Sequence, residues 1–204
     1  MSEAQTVAAT DVKRLRDLTG AGMMDCKAAL TESGGDLDRA QEILRTKGLA
    51  GVEKRRGRAA SQGVVEAYIH GGGRIGVLVE VNTETDFVAR TEEFKTLAHE
   101  IALQIAAMPQ TRWVTREEVP EDVIASERKI AEEKARQEGK PEQVIPRIVD
   151  GSVEAVFKQM VLLDQPSIRE SSKTVRQLVE EAAAKVGENV VVRRFARYVL
   201  GEEA

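Results

Sequence analysis

The sequence is poor in the residues on which most catalytic and metal sites depend. Its 204 residues include one cysteine, Cys26, and two histidines, His70 and His99. A single cysteine excludes an internal disulfide and a thiolate zinc site, and neither histidine belongs to a metal-ligand spacing such as HExxH. The GxSxG elbow and the GxxxxGK[ST] phosphate loop are also missing. We therefore expect no enzyme activity, no cofactor and no bound metal.

Long apolar runs and a basic excess are missing as well. No stretch of eighteen apolar residues occurs, and the first residues lack the basic and then apolar order of a secretion signal. The formal net charge of −4 argues against nucleic acid as the main partner. With 42% hydrophobic and 31% charged residues, the composition is that of a folded protein. We expect a cytoplasmic protein without a membrane span.

Helical patterns fill the first quarter of the chain. Residues 10–48 predict three helices, of which the third begins after a candidate N-cap, Asp36, and ends at a stop signal, Gly48. We predict that residues 1–55 form an N-terminal three-helix module with a basic linker. Residues 56–204 are then left to form a separate core domain.

The basic linker has two interpretations. Its charges lie close together and few large apolar residues separate them; they are Lys54, Arg55, Arg56 and Arg58. A solvated linker is the favoured interpretation, because no aromatic residue is interleaved to stack on bases. The alternative is an arm that binds phosphate, which would make the protein an RNA- or ribosome-binding accessory factor.

Residues 63–82 predict a β-hairpin. Alternation places apolar side chains on one face, and these are Val65, Ala67, Ile69, Ile75, Val77, Val79 and Val81. The turn at 71–73 hides a match to the dinucleotide fingerprint GxGxxG. That motif needs a helix after it to face the pyrophosphate, and here a strand pattern follows. We expect no direct nucleotide binding.

The rest of the chain is mainly helical and ends in a strand. Thr91 is a candidate N-cap for a helix that runs to about Met108, and a helical hairpin is predicted at about 121–163. Pro146 lies inside the second arm of that hairpin and should kink it. A Thr174/Gln177 capping box opens the last helix, before a strand at 189–200. This order predicts an α+β fold with an antiparallel sheet packed with helices.

The stretch TETDFV joins the hairpin to the helix that Thr91 opens, outside both apolar stripes. It places a carboxylate, Asp86, beside an aromatic side chain, Phe87. From spacing alone, Phe87 either seals its own core or enters a pocket of another protein. His70, beside the glycine turn, is either structural or a partner contact.

Five stretches resemble one protein family: VKRLRDLTGAGMMDCKAAL (12–30), GVLVEVNTETDFVAR (76–90), GKPEQV (139–144), SSKTVRQLV (171–179) and GENVVVRRFARY (187–198). The family is bacterial translation elongation factor Ts, here in a short form with one core module. The resemblance implies an N-terminal ubiquitin-associated-like bundle that docks on the GTPase elongation factor Tu.

The same resemblance implies a function and a set of residues. It predicts a guanine-nucleotide exchange factor whose exchange element is Thr85, Asp86, Phe87 and Val88. This element enters between helices of the GTPase and disturbs its magnesium and phosphate site. Met23 and Met24 become candidate docking contacts. Because a duplicated core is missing, a homodimer is expected to supply the rest of the partner surface.

Overall fold

The structure, a computed structural model, describes residues 7–202. Its helices and strands are α1 Ala9–Thr19, α2 Met23–Glu32, α3 Leu37–Arg55, β1 Gln62–His70, β2 Ile75–Thr83, α4 Asp86–Ala89, α5 Glu92–Ala107, α6 Glu121–Gln137, α7 Ile145–Met160, α8 Val175–Val186 and β3 Val191–Val199. The three strands form one antiparallel sheet in the order β1-β2-β3. The predicted α+β class is confirmed. Within residues 7–202, no helix has the length and apolarity needed to cross a membrane.

The chain divides into two compact units. Among the described residues, the first contains 7–59 together with 180–190, and the second contains 60–179 and 191–202. The first unit has its own core, formed by Val12, Leu15, Cys26, Ala29, Leu30 and Ala40. The second half of α8 therefore joins the first unit, a contribution that the predicted boundary at residue 55 does not include.

Helix α3 is longer than predicted. Asp36 caps it as expected, accepting a hydrogen bond from the Arg39 backbone N–H at 3.0 Å. The prediction that Gly48 ends the helix is wrong, since α3 continues to Arg55. A Cβ atom on Gly48 would lie only 3.2 Å from that of Ala184 in the same unit. The glycine therefore permits close packing, which offsets its helix penalty of about 1 kcal/mol.

The face of β1 that points inward is the opposite of the predicted one. Val65, Ala67 and Ile69 are exposed. The reason is the register, in which Val64, Glu66 and Tyr68 stand opposite Val81, Val79 and Val77 of β2. Those three valines are buried, and directly paired residues share one face of a sheet. The alternation was correctly assigned for β2 and wrongly for β1.

Helix α5 covers the inner face of β1 and β2. The predicted N-cap is confirmed, because the Thr91 hydroxyl accepts a hydrogen bond from the Phe94 N–H at 3.3 Å. The predicted apolar stripe is buried except for Met108, which is the C-cap of the helix and is half-buried. The buried members are Phe94, Leu97, Ala98, Ile101 and Ile105. Burial of this stripe against the valines of β2 fixes the position of everything between β2 and α5.

Helices α6 and α7 pack side by side, as the predicted helical hairpin requires. Their shared core consists of Ala131, Ala135, Ile145 and Val149. The prediction of a kink at Pro146 is wrong. Helix α7 begins at Ile145, so Pro146 occupies the first turn, where a backbone N–H has no partner within the helix. Residues 142–144, which precede α7, form a turn and not a helix.

The base of the hairpin is held by Arg116. Its guanidinium donates to both carboxylate oxygens of Glu154, at 2.7 and 2.9 Å, and to Asp164. It also lies 4.6 Å from the centre of the Phe157 ring. The hydrogen bonds with Glu154 and then Asp164 raise the pKa of Arg116. A planar cation fixed on several sides attaches α7 to the loop that precedes α6.

Helix α8 opens as predicted. The Thr174 hydroxyl accepts from the Gln177 N–H at 3.2 Å, and the Gln177 carbonyl oxygen accepts from the Thr174 N–H at 2.9 Å. Each side chain thus satisfies a backbone donor of the other residue, which is the reciprocal capping box. The capping box at residues 174 and 177 is confirmed.

Candidate protein-binding site

The connection between β2 and α5 contains a helical turn, α4. Thr85 caps it, accepting a hydrogen bond from the Val88 N–H at 3.4 Å. The Ala89 and Arg90 amides donate to the carbonyls of Thr85 and Asp86, at 3.3 and 3.2 Å. The predicted connection therefore contains a single helical turn. Its four residues are too few to show a helical periodicity in the sequence.

Two features fix this turn to the core. Ala89 is buried, and the Thr91 hydroxyl donates to the Val88 carbonyl at 2.8 Å while also capping α5. Below the turn, Gly63 pairs with Asn82 at the end of the hairpin. A Cβ atom on Gly63 would lie 2.1 Å from the Val81 carbonyl oxygen, and the backbone φ of +149° already favours glycine. The turn therefore stands on a closely packed support.

Phe87 points away from the core. Its exposed fraction is 79%, whereas Phe94, seven residues later, is 1% exposed. The interpretation that Phe87 seals its own core is therefore wrong. A large aromatic side chain exposed on a rigid turn is typical of a residue that becomes buried in a partner.

Asp86 forms an ion pair on the same turn. Its Oδ2 atom accepts a hydrogen bond from Nη2 of Arg90 at 2.7 Å, across the i,i+4 spacing. Both side chains are solvent-accessible, with exposed fractions of 44% and 77%. Arg90 was not among the residues predicted for the site, although its i,i+4 spacing from Asp86 is the spacing of a helical ion pair.

The other candidate residues belong to elements other than α4. Met23 and Met24 open α2 in the first unit, and both are exposed. His70 lies at the far end of the hairpin from α4, because Gln62 pairs with Thr83 there and His70 pairs with Ile75 at the glycine turn.

The His70 ring is held by a neighbouring aromatic side chain. Its Nδ1 atom and the Tyr68 hydroxyl are 3.0 Å apart, and the two rings stack with centroids 5.9 Å apart. The Tyr68 ring also meets His99 edge to face at 5.5 Å. His99 in turn forms a 2.8 Å contact with Glu66.

The basic segment begins in the last turn of a helix and continues beyond its end. Lys54 and Arg55 belong to the last turn of α3. The Arg55 guanidinium donates to the Ala183 carbonyl at 3.3 Å, and Arg56 pairs with Glu180 at 3.5 Å and Glu53 at 3.3 Å. Arg55 and Arg56 are thus engaged within the first unit. This engagement disfavours an RNA-binding arm, while the helical position of Lys54 and Arg55 differs from the solvated linker favoured from the sequence.

A second surface was missed because the β1 face was misassigned. The outer face of the sheet exposes apolar side chains from all three strands, Val65, Ile69, Leu78 and Tyr198. In the middle row, Ala67 and Ala196 flank Leu78. An ion pair between Glu80 and Arg194, with a separation of 2.7 Å, borders this outer face. Exposed apolar patches of this kind mark sites of protein interaction.

Neither the α4 turn nor the outer face of the sheet, as described in residues 7–202, carries the ligands of a metal centre. Among residues 7–202, no group of three or more histidine, cysteine, aspartate or glutamate side chains could hold a metal ion. An exposed aromatic residue on a fixed turn and an apolar sheet face are the features of a protein that acts by binding other proteins.

Comparison with known proteins identifies the family. The family model described as "Elongation factor TS" matches residues 51–202. The elongation factor Ts of Coprothermobacter proteolyticus is 57% identical over 196 residues, which cover 96% of this chain and 99% of that protein. Those of Moorella thermoacetica and Syntrophomonas wolfei are each 56% identical over 196 residues; the match covers 96% of this chain and 96% and 91% of those proteins.

The chain therefore belongs to the elongation factor Ts family. This membership supports a role as a nucleotide-exchange factor in translation elongation. The predicted resemblance is confirmed.

The burial of the two phenylalanines predicts opposite effects on stability. Phe94→Ala should lower the free energy of unfolding by ~3–5 kcal/mol, because it opens a cavity under α5. Phe87→Ala should change it by less than about 0.5 kcal/mol, as exposed substitutions usually do. Urea titration followed by circular dichroism measures both. A Phe87→Ala variant as unstable as Phe94→Ala would contradict the placement of α4.

Proposed function

We propose that this protein binds GDP-loaded elongation factor Tu in the cytoplasm and promotes GDP release through Thr85, Asp86, Phe87 and Val88. The exposed position of Phe87 on a capped turn carries the proposal. A side chain presented in one orientation enters a pocket without a large ordering cost. Phe87 acts as a wedge between helices of the GTPase and thereby disturbs its magnesium and phosphate site.

Energetics limit what Phe87 can do alone. Exchange requires negative coupling between the two ligands of the GTPase, and this coupling is reciprocal. Lowering the affinity of the GTPase for its nucleotide ~1,000-fold takes about 4 kcal/mol of coupling free energy. Burial of one phenylalanine side chain contributes ~1.5–3 kcal/mol. The remainder has to come from contacts elsewhere that hold the nucleotide domain in its distorted form.

Asp86 acts through charge. A carboxylate brought close to a bound magnesium ion, or to its water shell, competes for an ion that prefers oxygen ligands in octahedral geometry. Asp86 begins the turn whose second residue is Phe87, so insertion of the aromatic ring brings the carboxylate with it. The two neighbours thus have separate roles, one in packing and one at the ion.

Met23 and Met24 supply further contacts on the GTPase, and His70 supplies another. Exposed, unbranched thioether side chains adapt to irregular apolar surfaces. His70 is held by Tyr68 at its Nδ1 atom, which leaves its other ring nitrogen to face a partner. These contacts give the binding energy that Phe87 cannot supply.

A second copy of the chain completes the assembly. The apolar outer face of the sheet centres on Leu78, and the Glu80–Arg194 pair beside it balances its own charge. A patch of this kind can meet its own copy across a two-fold axis without opposing like charges. We therefore assign this outer face to a homodimer.

An RNA- or ribosome-binding accessory factor is the alternative function. It would use Lys54 to Arg58, and its binding would fall steeply with salt. The engagement of Arg55 and Arg56 within their own unit disfavours it. Exchange activity that is unchanged by added RNA would exclude it as the main role.

The exchange proposal predicts different defects at the two neighbouring residues. Release of fluorescent GDP from elongation factor Tu should slow at least ~10-fold with Phe87→Ala, because a loss of ~1.4 kcal/mol of coupling accounts for that factor. Asp86→Asn should slow release while binding the GTPase almost as tightly. Ile130→Ala, which truncates an exposed apolar residue on α6, is the matched control. Normal exchange by Phe87→Ala would refute the wedge.

The docking contacts should affect affinity more than maximal rate. Met24→Ala is expected to raise the concentration needed for half-maximal GDP release by ~5-fold, as the loss of about 1 kcal/mol of interface energy requires. His70→Ala should act in the same direction. Leu49→Ala, at a half-exposed position of the unit that contains Met24, serves as the control. If Met24→Ala and Leu49→Ala exchange alike, the methionines are not docking contacts.

The homodimer is tested by mass. Light scattering at micromolar concentration should give twice the chain mass of 22.4 kDa. Leu78→Glu places a charge in the centre of the apolar outer face and should return the mass to that of one chain. Ile130→Glu, on α6, should remain dimeric. A wild-type mass of one chain would rule out the dimer, and a dimeric Leu78→Glu would rule out this face.

A further inference from the structure

Two apolar side chains at one end of the first unit continue its buried core into solvent. On α1, Leu18 follows Val12 and Leu15 at helical spacing, but it is 61% exposed while those two are buried. On α2, Met23 precedes the fully buried Cys26 by three residues and is 56% exposed. Both residues therefore lie at the end of the bundle where α1 leads into α2.

The turn between α1 and α2 has a fixed backbone. Gly20 ends α1 in the left-handed conformation, with a φ of +69°, and its N–H donates to the Arg16 carbonyl at 2.7 Å. The Thr19 hydroxyl accepts a hydrogen bond from the Ala21 N–H at 3.3 Å and lies 4.0 Å from the Cys26 sulfur. The end of α1 thus contacts the first turn of α2, and the apolar side chains on either side are presented from a rigid support.

A residue from α8 packs on the same turn. Lys185 lies in the half of α8 that belongs to the first unit. Its alkyl stem approaches Gly20 so closely that a Cβ atom on the glycine would be 2.4 Å from the lysine Cε. A side chain at position 20 would therefore displace Lys185 and strain the left-handed backbone. The turn is held from within the first unit by both its core and α8.

The charges around this turn have the opposite sign to the charge of the whole chain. Residues 13–27 carry four basic and two acidic side chains, which leaves a net charge of +2, whereas the chain has −4. Arg14 precedes Leu18 by four positions and Lys27 follows Met23 by four, so each shares a helix face with an exposed apolar residue. Within the described part of the chain, neither cation is engaged in an ion pair.

We infer that Leu18, Met23 and Met24 form one docking surface, which binds an apolar patch with an acidic border on elongation factor Tu. The inference rests on the proposed function, which assigns the two methionines to docking and leaves Leu18 out. Neighbouring apolar side chains exposed on a fixed backbone mark protein interfaces, because little ordering is needed to bury them.

The basic border decides between two occupants of the docking surface. In a symmetric dimer this surface would meet itself, so its basic border would approach that of the other copy. Like charges that face each other across an interface oppose binding, whereas an acidic border on a different protein favours it. The GTPase is therefore the occupant, and the second copy of the chain is assigned to the outer face of the sheet.

Stopped-flow release of fluorescent GDP, measured over a range of factor concentrations, tests the inference. Leu18→Ala should raise the half-saturating concentration about fivefold, as expected for Met24→Ala, and should leave the maximal rate near that of the wild type. Leu18→Met keeps an apolar side chain of similar volume and should exchange like the wild type. Leu18→Glu should be more defective than Leu18→Ala, because it brings a charge into the interface.

Leu49→Ala is the matched control. It truncates a half-exposed leucine of the same unit, on α3, and should exchange like the wild type. Leu18→Ala and Leu49→Ala should melt at the same temperature, because neither side chain is buried. A Leu18→Ala protein that exchanges like Leu49→Ala would overturn the inference. So would a Leu18→Ala protein that melts well below Leu49→Ala, since the residue would then serve the fold.

The acidic border of the partner is tested by charge reversal. Lys27→Glu should raise the half-saturating concentration about threefold, and raising the salt from about 50 to about 500 mM should remove most of that difference. Arg45→Glu, at an exposed position of α3, makes the same change in net charge and should have little effect. Equal defects in the two variants, or a normal Lys27→Glu protein, would refute the acidic border.

The outcomes also separate this inference from the proposed function. If the wild-type protein does not accelerate GDP release, both fail. If Met24→Ala is weak and Leu18→Ala is normal, docking through the methionines stands and the inference fails. If both variants exchange like Leu49→Ala while Phe87→Ala is slow, the wedge stands and the docking surface fails.

Discussion

The packing of α5 on the inner face of β1 and β2 is the constraint on which the candidate site depends. Phe94 and the valines of β2 are buried together, so the end of β2 and the start of α5 have fixed positions. The few residues between them have to span that gap, and they form the α4 turn. Thr85 caps this turn, and Thr91 donates to its Val88 carbonyl and caps α5. Phe87 is exposed because the core beneath it is already filled. The proposed insertion of Phe87 into a partner requires such a support, because a mobile residue would lose much of its binding energy to ordering.

Local chemistry could be predicted from the sequence wherever one side chain decides the outcome. Asp36, Thr91 and the Thr174/Gln177 pair cap the helices that they were predicted to cap, because the cap depends on residues at most three positions away. The predictions at Gly48, Pro146 and the β1 face failed because distant residues decided them. Gly48 is kept helical by its fit to Ala184, and the β1 face follows from pairing with β2.

The candidate site divides in the same way. The place of Asp86 and Phe87 at the junction of strand and helix could be predicted, because both flanking patterns were clear. The one-turn helix between them could not, since four residues complete little more than one helical period. The apolar outer face was concealed because an alternating strand does not reveal from its own sequence which of its two faces is covered.

Residues 180–190 belong to the first unit although they follow 120 residues of the second. On a ribosome, α1 to α3 emerge first, yet the side of α3 around Gly48 lacks its cover until α8 has been synthesised. The second unit likewise waits for β3, the last strand of its sheet. Neither unit can therefore reach its final form as an early product of synthesis. A premature stop anywhere before residue 180 would leave each unit without one of its elements.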